Sequence, residues 1–250
     1  MKFSIITVTF NSAATISNTL NSIANQDHSD IEYIVIDGKS TDSTIDIIRN
    51  NSHLISKSVV EPDFGIYDAM NKGLALATGE VIAFLHSDDV YASSNVVSKV
   101  NFCFEKYSLD ALYGDINYFH ENDSRKVIRR YSSHRFMPSL IGWGWMPAHP
   151  SLFLHRNVYD KYGHFKIDFK IAGDYEFVAR IFHENTLRYH YLPEVLVNMR
   201  MGGVSTGGIM NSLLLNREVL RACRENNIPT NIFKILSKYP AKLIDSFFYR

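Results

Sequence analysis

Carboxylates recur in this chain at the ends of apolar runs, and in one place two are adjacent. Val81-Ile82-Ala83-Phe84-Leu85 leads into His86-Ser87-Asp88-Asp89. A buried strand ending in paired acids can hold a divalent cation through hard oxygen ligands, and the cation can hold a diphosphate. Ser87-Asp88-Asp89 would equally serve as a turn, or as a cap for a helix beginning near Ser93. Asp37 closes an earlier apolar run in Asp37-Gly38-Lys39-Ser40, and Asp63 follows a third. In an open α/β sheet, ligands lie outside the carboxyl ends of the strands, so acids at neighbouring tips converge on one crevice. Asp37 alone reads as a turn residue; three tips in order point to a shared function. Downstream, Asp174 opens a helical pattern, where it suits either the positive end of a helix or general-base work on an acceptor hydroxyl.

The elements that must position these acids alternate along the first half. Phe3–Thr9 reads as a buried strand and Ala13–Ala24 as a helix with Ile16, Leu20 and Ile23 on one face. Ile31–Ile36 is a second strand, followed by a short helix from Thr41-Asp42-Ser43 through Ile48. Ser58–Val60 is a third strand, Ile66–Ala77 a helix stopped by Thr78-Gly79, Val81–Leu85 a fourth strand and Val96–Tyr107 the next helix. Repeated βα units predict an α/β fold with a mostly parallel sheet. The second half changes character. Leu112–His120 and Lys126–Tyr131 read as paired strands, Trp143–Pro150 as an aromatic loop, Ser151–Leu154 as a strand and Gly173–His183 as a helix. Leu187–Met199 reads as a strand interrupted by Pro193, residues 202–208 as a glycine-rich linker, and the remainder as helices broken near Pro229 and Pro240.

Composition narrows the function classes. The chain has 250 residues, 46% of them hydrophobic, enough for a substantial core. Lys plus Arg and Asp plus Glu balance at 26 each, which argues against nucleic acid as a partner. Cys103 and Cys223 lie far apart, as buried hydrophobes do in a reduced compartment. Met1-Lys2 leads straight into a β-branched strand, and no apolar run is long enough to cross a bilayer. The expected location is the cytoplasm, or the inner face of the cytoplasmic membrane. No GxxxxGK[ST] loop and no GxGxxG fingerprint follows the first strand; Thr9-Phe10-Asn11 stands there instead.

Other residues carry two readings each. Lys72 would counter phosphate charge or sit solvated at a helix end. Trp143 and Trp145 would stack on a sugar ring or anchor their loop. His149, between two prolines, would meet the acceptor or the diphosphate, or make a structural hydrogen bond. Arg200 would reach phosphate after loop closure. The histidines are scattered without metal-ligand spacing.

The ordered motifs resemble a family. Thr9-Phe10-Asn11 with Val35-Ile36-Asp37-Gly38-Lys39-Ser40-Thr41-Asp42 is similar to the opening of family 2 glycosyltransferases of GT-A fold. Glu61-Pro62-Asp63-Phe64-Gly65-Ile66-Tyr67-Asp68-Ala69-Met70-Asn71-Lys72-Gly73, then Ala77-Thr78-Gly79-Glu80 and Ser87-Asp88-Asp89, resembles a subgroup that builds bacterial surface polysaccharides such as O-antigen and capsule. Pro147-Ala148-His149-Pro150-Ser151 and Ala172-Gly173-Asp174-Tyr175-Glu176 fit the acceptor half of that family, and the likeness spans about residues 3–206. The resemblance implies a nucleotide-sugar site at the first strand tips, lined by Thr9, Phe10, Asn11, Asp37, Asp63, Lys72 and Asp88. Phe10 would lie against the nucleobase, Asp37 on its edge and Asp88 at the ribose. Asp89 would hold Mg2+ or Mn2+ bridging the diphosphate, although Ser87 stands where many members carry another Asp. Asp174 would be the catalytic base, with Trp145 and His149 toward a glycan or lipid-linked acceptor. An inverting transfer needs that base on the face opposite the leaving nucleoside diphosphate.

The resulting expectation is a GT-A domain over 1–206, with a donor half of about 1–110 and an acceptor half of about 111–206, and a helical extension over 207–250. The extension mixes Phe233, Ile235, Leu236, Leu243, Ile244, Phe247 and Phe248 with Lys234, Lys238, Lys242 and Arg250. That composition suits an anionic membrane surface as well as packing on the protein itself. Two rivals stay open at this point: a sugar-phosphate nucleotidyltransferase, which needs no base at Asp174, and an inactive carbohydrate-binding or assembly partner.

Overall fold

A computed structural model describes residues 1–120, 123–201 and 208–239. The chain runs β1 (Phe3–Thr9), α1 (Ile16–Ala24), β2 (Ile31–Asp37), α2 (Thr44–Asn50), β3 (Lys57–Val60), α3 (Ile66–Leu76), β4 (Val81–Phe84), β5 (Val90–Tyr91) and α4 (Val96–Tyr107). It continues through β6 (Ala111–His120), β7 (Asp123–Tyr131), β8 (Phe153–His155), α5 (Arg156–Tyr162), α6 (Gly173–Phe182), β9 (Tyr189–Arg200), α7 (Gly208–Glu225) and α8 (Ile232–Leu236). One curled sheet has the order β3-β2-β1-β4-β8-β6-β9-β5, with β7 paired to β6. The strands β3, β2, β1 and β4 run parallel, as the βα repeats predict. Beyond β4 the sheet is mixed: β8 is antiparallel to both β4 and β6, while β9 is parallel to β6.

Helices cover both faces, so β1 is buried along its whole length and reads as a continuous apolar run. Ile6, Val8, Ile34 and Ile36 pack with Met70 and Leu74 of α3 and with Phe177 and Ile181 of α6. Phe3, Ile5, Tyr33 and Val35 pack with Ile16 and Leu20 of α1 and with Val97 and Val100 of α4 on the other face. Val219, Ala222 and Cys223 of α7 and Ile235 of α8 join the α3–α6 core.

The structure departs from the sequence reading where local signals are weak. Helix α1 begins at Ile16, after a turn in which Ile16 N donates to Ser12 O at 3.0 Å. Helix α5 buries only Val158 and Tyr159, and its propensity is poor; tertiary packing and the Arg156 Nε bond to Gly79 O, 2.9 Å, hold it in place. Strand β5 has two residues, too few for a period. In β9, Tyr191 pairs with Tyr113 but Val195 with Asp115, so β9 carries two extra residues beside Pro193. A bulge absorbs the missing proline N–H without breaking the strand. The turn at 121–122, the glycine stretch 202–207 and residues 240–250 lie outside the described residues.

The amino ends of the parallel strands are tied by one buried carboxylate. Glu32 accepts from Ser4 Oγ at 2.6 Å, Thr78 N at 2.7 Å, Thr78 Oγ1 at 2.8 Å and Lys57 Nζ at 2.9 Å. Burial alone would raise its pKa, but the bonds from Ser4, Lys57 and Thr78 outweigh it and hold the group down to about 2. A depressed carboxylate contributes stability that is present above its unfolded pKa and lost as pH falls toward the folded one. Glu32→Ala is expected to destabilise the fold by about 3 kcal/mol in urea unfolding at pH 7, the cost of breaking a buried ionic network. The difference from wild type should shrink as pH is lowered from the ordinary glutamate range toward 2.

Candidate active site

The carboxyl ends of β1 and β2 are stitched together by side chains of the following loops. Asn11 sits in the left-handed region, φ 49°, which asparagine tolerates. Its N–H donates to Ser40 Oγ at 2.8 Å, and its Oδ1 accepts from Thr41 N at 2.8 Å. Asp37 is fully buried; Oδ1 accepts from Ser40 N and Oδ2 from Ser40 Oγ, both at 2.7 Å. The turn role is therefore real, and spare lone pairs are all that Asp37 has left for a ligand. Gly38 lacks a side chain because one there would collide with the Asp63 carboxylate and lie 3.4 Å from the Phe10 ring. Phe10, Gly38 and Asp63 thus meet, with Phe10 60% exposed to solvent. Thr9 Oγ1 is buried at the same tip without a hydrogen-bond partner among the described residues.

Lys72 lies on the flank of this group. Its ammonium is 2.7 Å from Pro62 O, 3.0 Å from Glu61 and 3.3 Å from Asp68, so it ties α3 to the loop carrying Asp63.

The β4 tip is fixed from α1. Thr19 Oγ1 donates to Asp89 O at 2.8 Å, and Ser87 Oγ donates to Ser12 Oγ at 2.9 Å. Asp88 remains half-buried, while Asp89 is almost wholly enclosed. Asp89 Oδ1 accepts from Arg200 N at 3.3 Å, and Oδ2 is buried with no hydrogen-bond partner among the described residues. Burial, with the charge of Asp88 beside it, raises the Asp89 pKa well above the carboxylate range. An orphaned carboxylate oxygen is the hard donor that Mg2+ or Mn2+ prefers. Among the described residues no cluster of three His, Cys, Asp or Glu could hold a metal alone. The donor set therefore fits a cation that completes its shell with diphosphate oxygens and water.

Beside this tip, His149 stacks on Phe84 at 5.9 Å and on His86 at 6.2 Å between ring centres. Burial lowers both histidines to about 4, so both rings are neutral at pH 7. Trp145 lies in the same 143–150 loop, which Tyr131 OH anchors by donating to Met146 O at 2.8 Å. The loop is footed on β6. Asp115, fully buried, accepts from Arg130 Nε at 2.9 Å, Ser133 N at 2.8 Å and Tyr191 OH at 2.9 Å. Ser133 Oγ and Ser151 Oγ each donate to Gly114 O at 2.8 Å.

Asp174 occupies the first turn of α6, where Tyr175 N donates to its Oδ1 at 2.8 Å. Tyr67, in the first turn of α3, links it to the helix that follows the Asp63 loop. The Tyr67 hydroxyl is 2.7 Å from Ile171 O and 3.3 Å from Asp174 Oδ1. Gly173 permits this approach, because a Cβ there would lie 2.7 Å from the Tyr67 ring. Asp174 keeps part of its surface open while its neighbours screen most of the carboxyl from water; that desolvation raises its pKa to about 6. Tyr67, itself raised by burial and then by Asp174, stays a protonated donor. Oδ2 of Asp174 makes no hydrogen bond among the described residues.

Trp143 stands apart from these groups. It lines a cavity of about 460 Å³ with Pro138, Gly142, His183, Pro229 and Lys234. His183 follows the last turn of α6, so the cavity is at the opposite end of that helix from Asp174. The sequence reading passed over Tyr67, which looks like one more apolar residue of α3, and Asp115, which looks like a strand residue. Neither carries a local signal; only the chain crossing gives them their role.

Comparison with known proteins gives the family and the fold. The sequence profile of the family described as "Glycosyl transferase family 2" matches residues 4–171. A PGL/p-HBAD biosynthesis glycosyltransferase of Mycobacterium bovis (strain BCG / Pasteur 1173P2) is 30% identical over 227 residues, covering 88% of this chain and 82% of that protein. Among solved structures, S. aureus TarS 1-349 in complex with UDP-GlcNAc superposes with a TM-score of 0.70 at 22% identity, over 89% of this chain and 66% of that one. The mannosyltransferase PcManGT from Pyrobaculum calidifontis, in complex with GDP-Man and Mn2+, superposes with a TM-score of 0.64 at 19% identity, over 88% of this chain and 64% of that one. The chain thus spans about two thirds of these solved chains, and their likeness speaks for the GT-A fold. Profile and relative together establish that this chain is a transferase and belongs to glycosyltransferase family 2.

Proposed function

We propose that the protein transfers a sugar, with inversion, from a nucleotide-sugar donor to a hydroxyl of a glycan or lipid-linked acceptor in bacterial polysaccharide biosynthesis. One observation carries the reading: Asp174, raised to about 6 with Oδ2 open, is tethered through Tyr67 to the helix that follows the Asp63 tip. In the proposed step, Oδ2 takes the acceptor proton as the acceptor oxygen attacks the anomeric carbon. The bond from that carbon to the diphosphate breaks on the opposite face, and the electron pair leaves with the nucleoside diphosphate. Phe10 packs on the nucleobase with Thr9, Asn11, Asp37 and Asp63 around it, and Asp88 faces the ribose. Lys72 acts on the donor by bracing the Asp63 loop. Trp145 and His149 face the acceptor. Asp89 Oδ2 would hold a divalent cation, which supplies charge stabilisation on the departing diphosphate. The bound UDP-GlcNAc of TarS and the GDP-Man and Mn2+ of PcManGT support a nucleotide-sugar donor and a cation. We further propose that residues 1–206 carry the transferase, donor half first, and that 207–250 extend it.

No helix among the described residues is long and apolar enough to cross a membrane. On α8, Phe233 is 81% exposed, with Ile232 and Leu236 also exposed and Lys234 between them. This face supports peripheral contact with an anionic bilayer at the cytoplasmic surface, where a lipid-linked acceptor would lie.

Four measurements test the proposal. Calorimetry with UDP, GDP and dTDP should find one nucleotide that binds with Mn2+ and loses at least about tenfold in affinity in Asp89→Ala; binding indifferent to both would remove the cation role. Asp174→Asn should lower kcat by about 10²-fold or more, and the wild-type kcat should fall as pH drops through about 6, where the base protonates. Because a carboxylate with a raised folded pKa is destabilising once ionised, Asp174→Asn should leave Tm at pH 7 unchanged or higher. Sedimentation with phosphatidylglycerol vesicles should capture the wild type at low salt and lose Phe233→Glu.

A further inference from the structure

Helix α7 meets the segment before α6 through one face. Glu218, Arg221 and Glu225 follow the i, i+3, i+7 spacing of a single helix face. Glu225 pairs with Lys166 at 2.7 Å, and Arg221 pairs with Asp168. Glu218 takes three successive backbone amides: Lys170 N on Oε1, and Ile171 N and Ala172 N on Oε2, each at 2.9 Å. Ala172 is the residue before the first turn of α6, and no side chain caps that helix locally.

We infer that Glu218 is a positioning residue for sugar transfer: by gripping the backbone of 170–172 it fixes the direction in which α6 presents the Asp174 carboxylate. The inference rests on the reading of Asp174 as the base. A buried carboxylate costs several kcal/mol unless its charge is met by hydrogen bonds, and three amides plus the positive end of α6 meet it here. A serine or aspartate within the loop would satisfy a helix start more simply. A carboxylate reaching in from α7 does something a local cap cannot, because it makes the loop's position depend on α7. The same loop is gripped from the other side, where Tyr67 OH donates to Ile171 O and reaches Asp174. Asp174 is thus set between α3 and α7. The groups facing it are the neutral Tyr67 from α3, the Tyr175 amide of its own helix and the negative Glu218 from α7. Desolvation is the larger cause of its raised pKa, and the Glu218 charge acts in the same direction.

The test compares wild type, Glu218→Ala, Glu218→Gln and Asp174→Asn, each checked for folding by its Tm. In Glu218→Ala, hydrogen exchange at the amides of 170–172 should rise at least about tenfold, since their acceptor is gone. With the donor identified by calorimetry, kcat should fall about tenfold or more while nucleotide Kd stays within about twofold, as expected for a displaced base. Carbon-13 NMR of labelled aspartate should move the Asp174 titration to lower pH in both Glu218 variants. Glu218→Gln, which keeps one acceptor oxygen, should recover part of the kcat. Unchanged exchange at 170–172, or an unmoved Asp174 titration, would overturn the inference. So would a kcat loss no larger than the loss of folded protein. Full activity in Asp174→Asn would defeat the base reading and the positioning role with it, even with the exchange result as expected.

Discussion

The parallel registration of β2, β1 and β4 is the constraint on which the rest of the molecule depends. β1 pairs with β2 from Phe3↔Ile31 to Thr9↔Asp37 without a slip, and with β4 from Phe3↔Val81 to Ile6↔Phe84. A one-residue slip would turn every side chain to the wrong face. It would also part Thr9 from Asp37 and carry Asp88 and Asp89 away from them. Two-sided burial fixes the register along the strands, and Glu32 fixes it at their amino ends. The buried ionic network and the strand-tip acids thereby occupy opposite ends of the same strands.

Two carboxylates illustrate how burial alone decides nothing. Glu32 is buried and Asp174 is largely screened from water, yet one is depressed to about 2 and the other raised to about 6. Glu32 collects hydroxyl, amide and ammonium donors on both oxygens. Asp174 has its donors on Oδ1 alone, one of them a tyrosine whose proton is shared with Ile171 O. The number of donors facing the charged form separates a structural acid from one suited to accept a proton near neutrality.

Much of the first half of the chain was legible in the sequence. α4 is predicted and observed over Val96–Tyr107, because a clear apolar stripe sits between turn signals. The acids at the strand tips were legible too, since parallel strands ending in polar residues place them together. What they do there was less so: nothing in Asp37-Gly38-Lys39-Ser40 tells that Ser40 takes both Asp37 oxygens, and the enclosure of Asp89 depends on Arg200, 111 positions away. α5 and β5 escaped because tertiary contacts make them. Glu218 escaped because a glutamate on an amphipathic helix gives no hint that its partners are backbone amides more than forty positions earlier.

The footing of the aromatic loop has an evolutionary side. The segment from Ser133 to Ser151, which carries that loop, is held at both ends by Gly114 O, and Ser133 Oγ also accepts from Ala148 N at 3.2 Å. Asp115 secures the same corner. Phe136 and Ile141 fasten the interior of the segment to the core, so its exposed positions, Met137 and Trp143 among them, are where sequence can diverge while the two feet keep their spacing on β6. Changes at those exposed positions can accumulate along a lineage without disturbing the parallel strands next door.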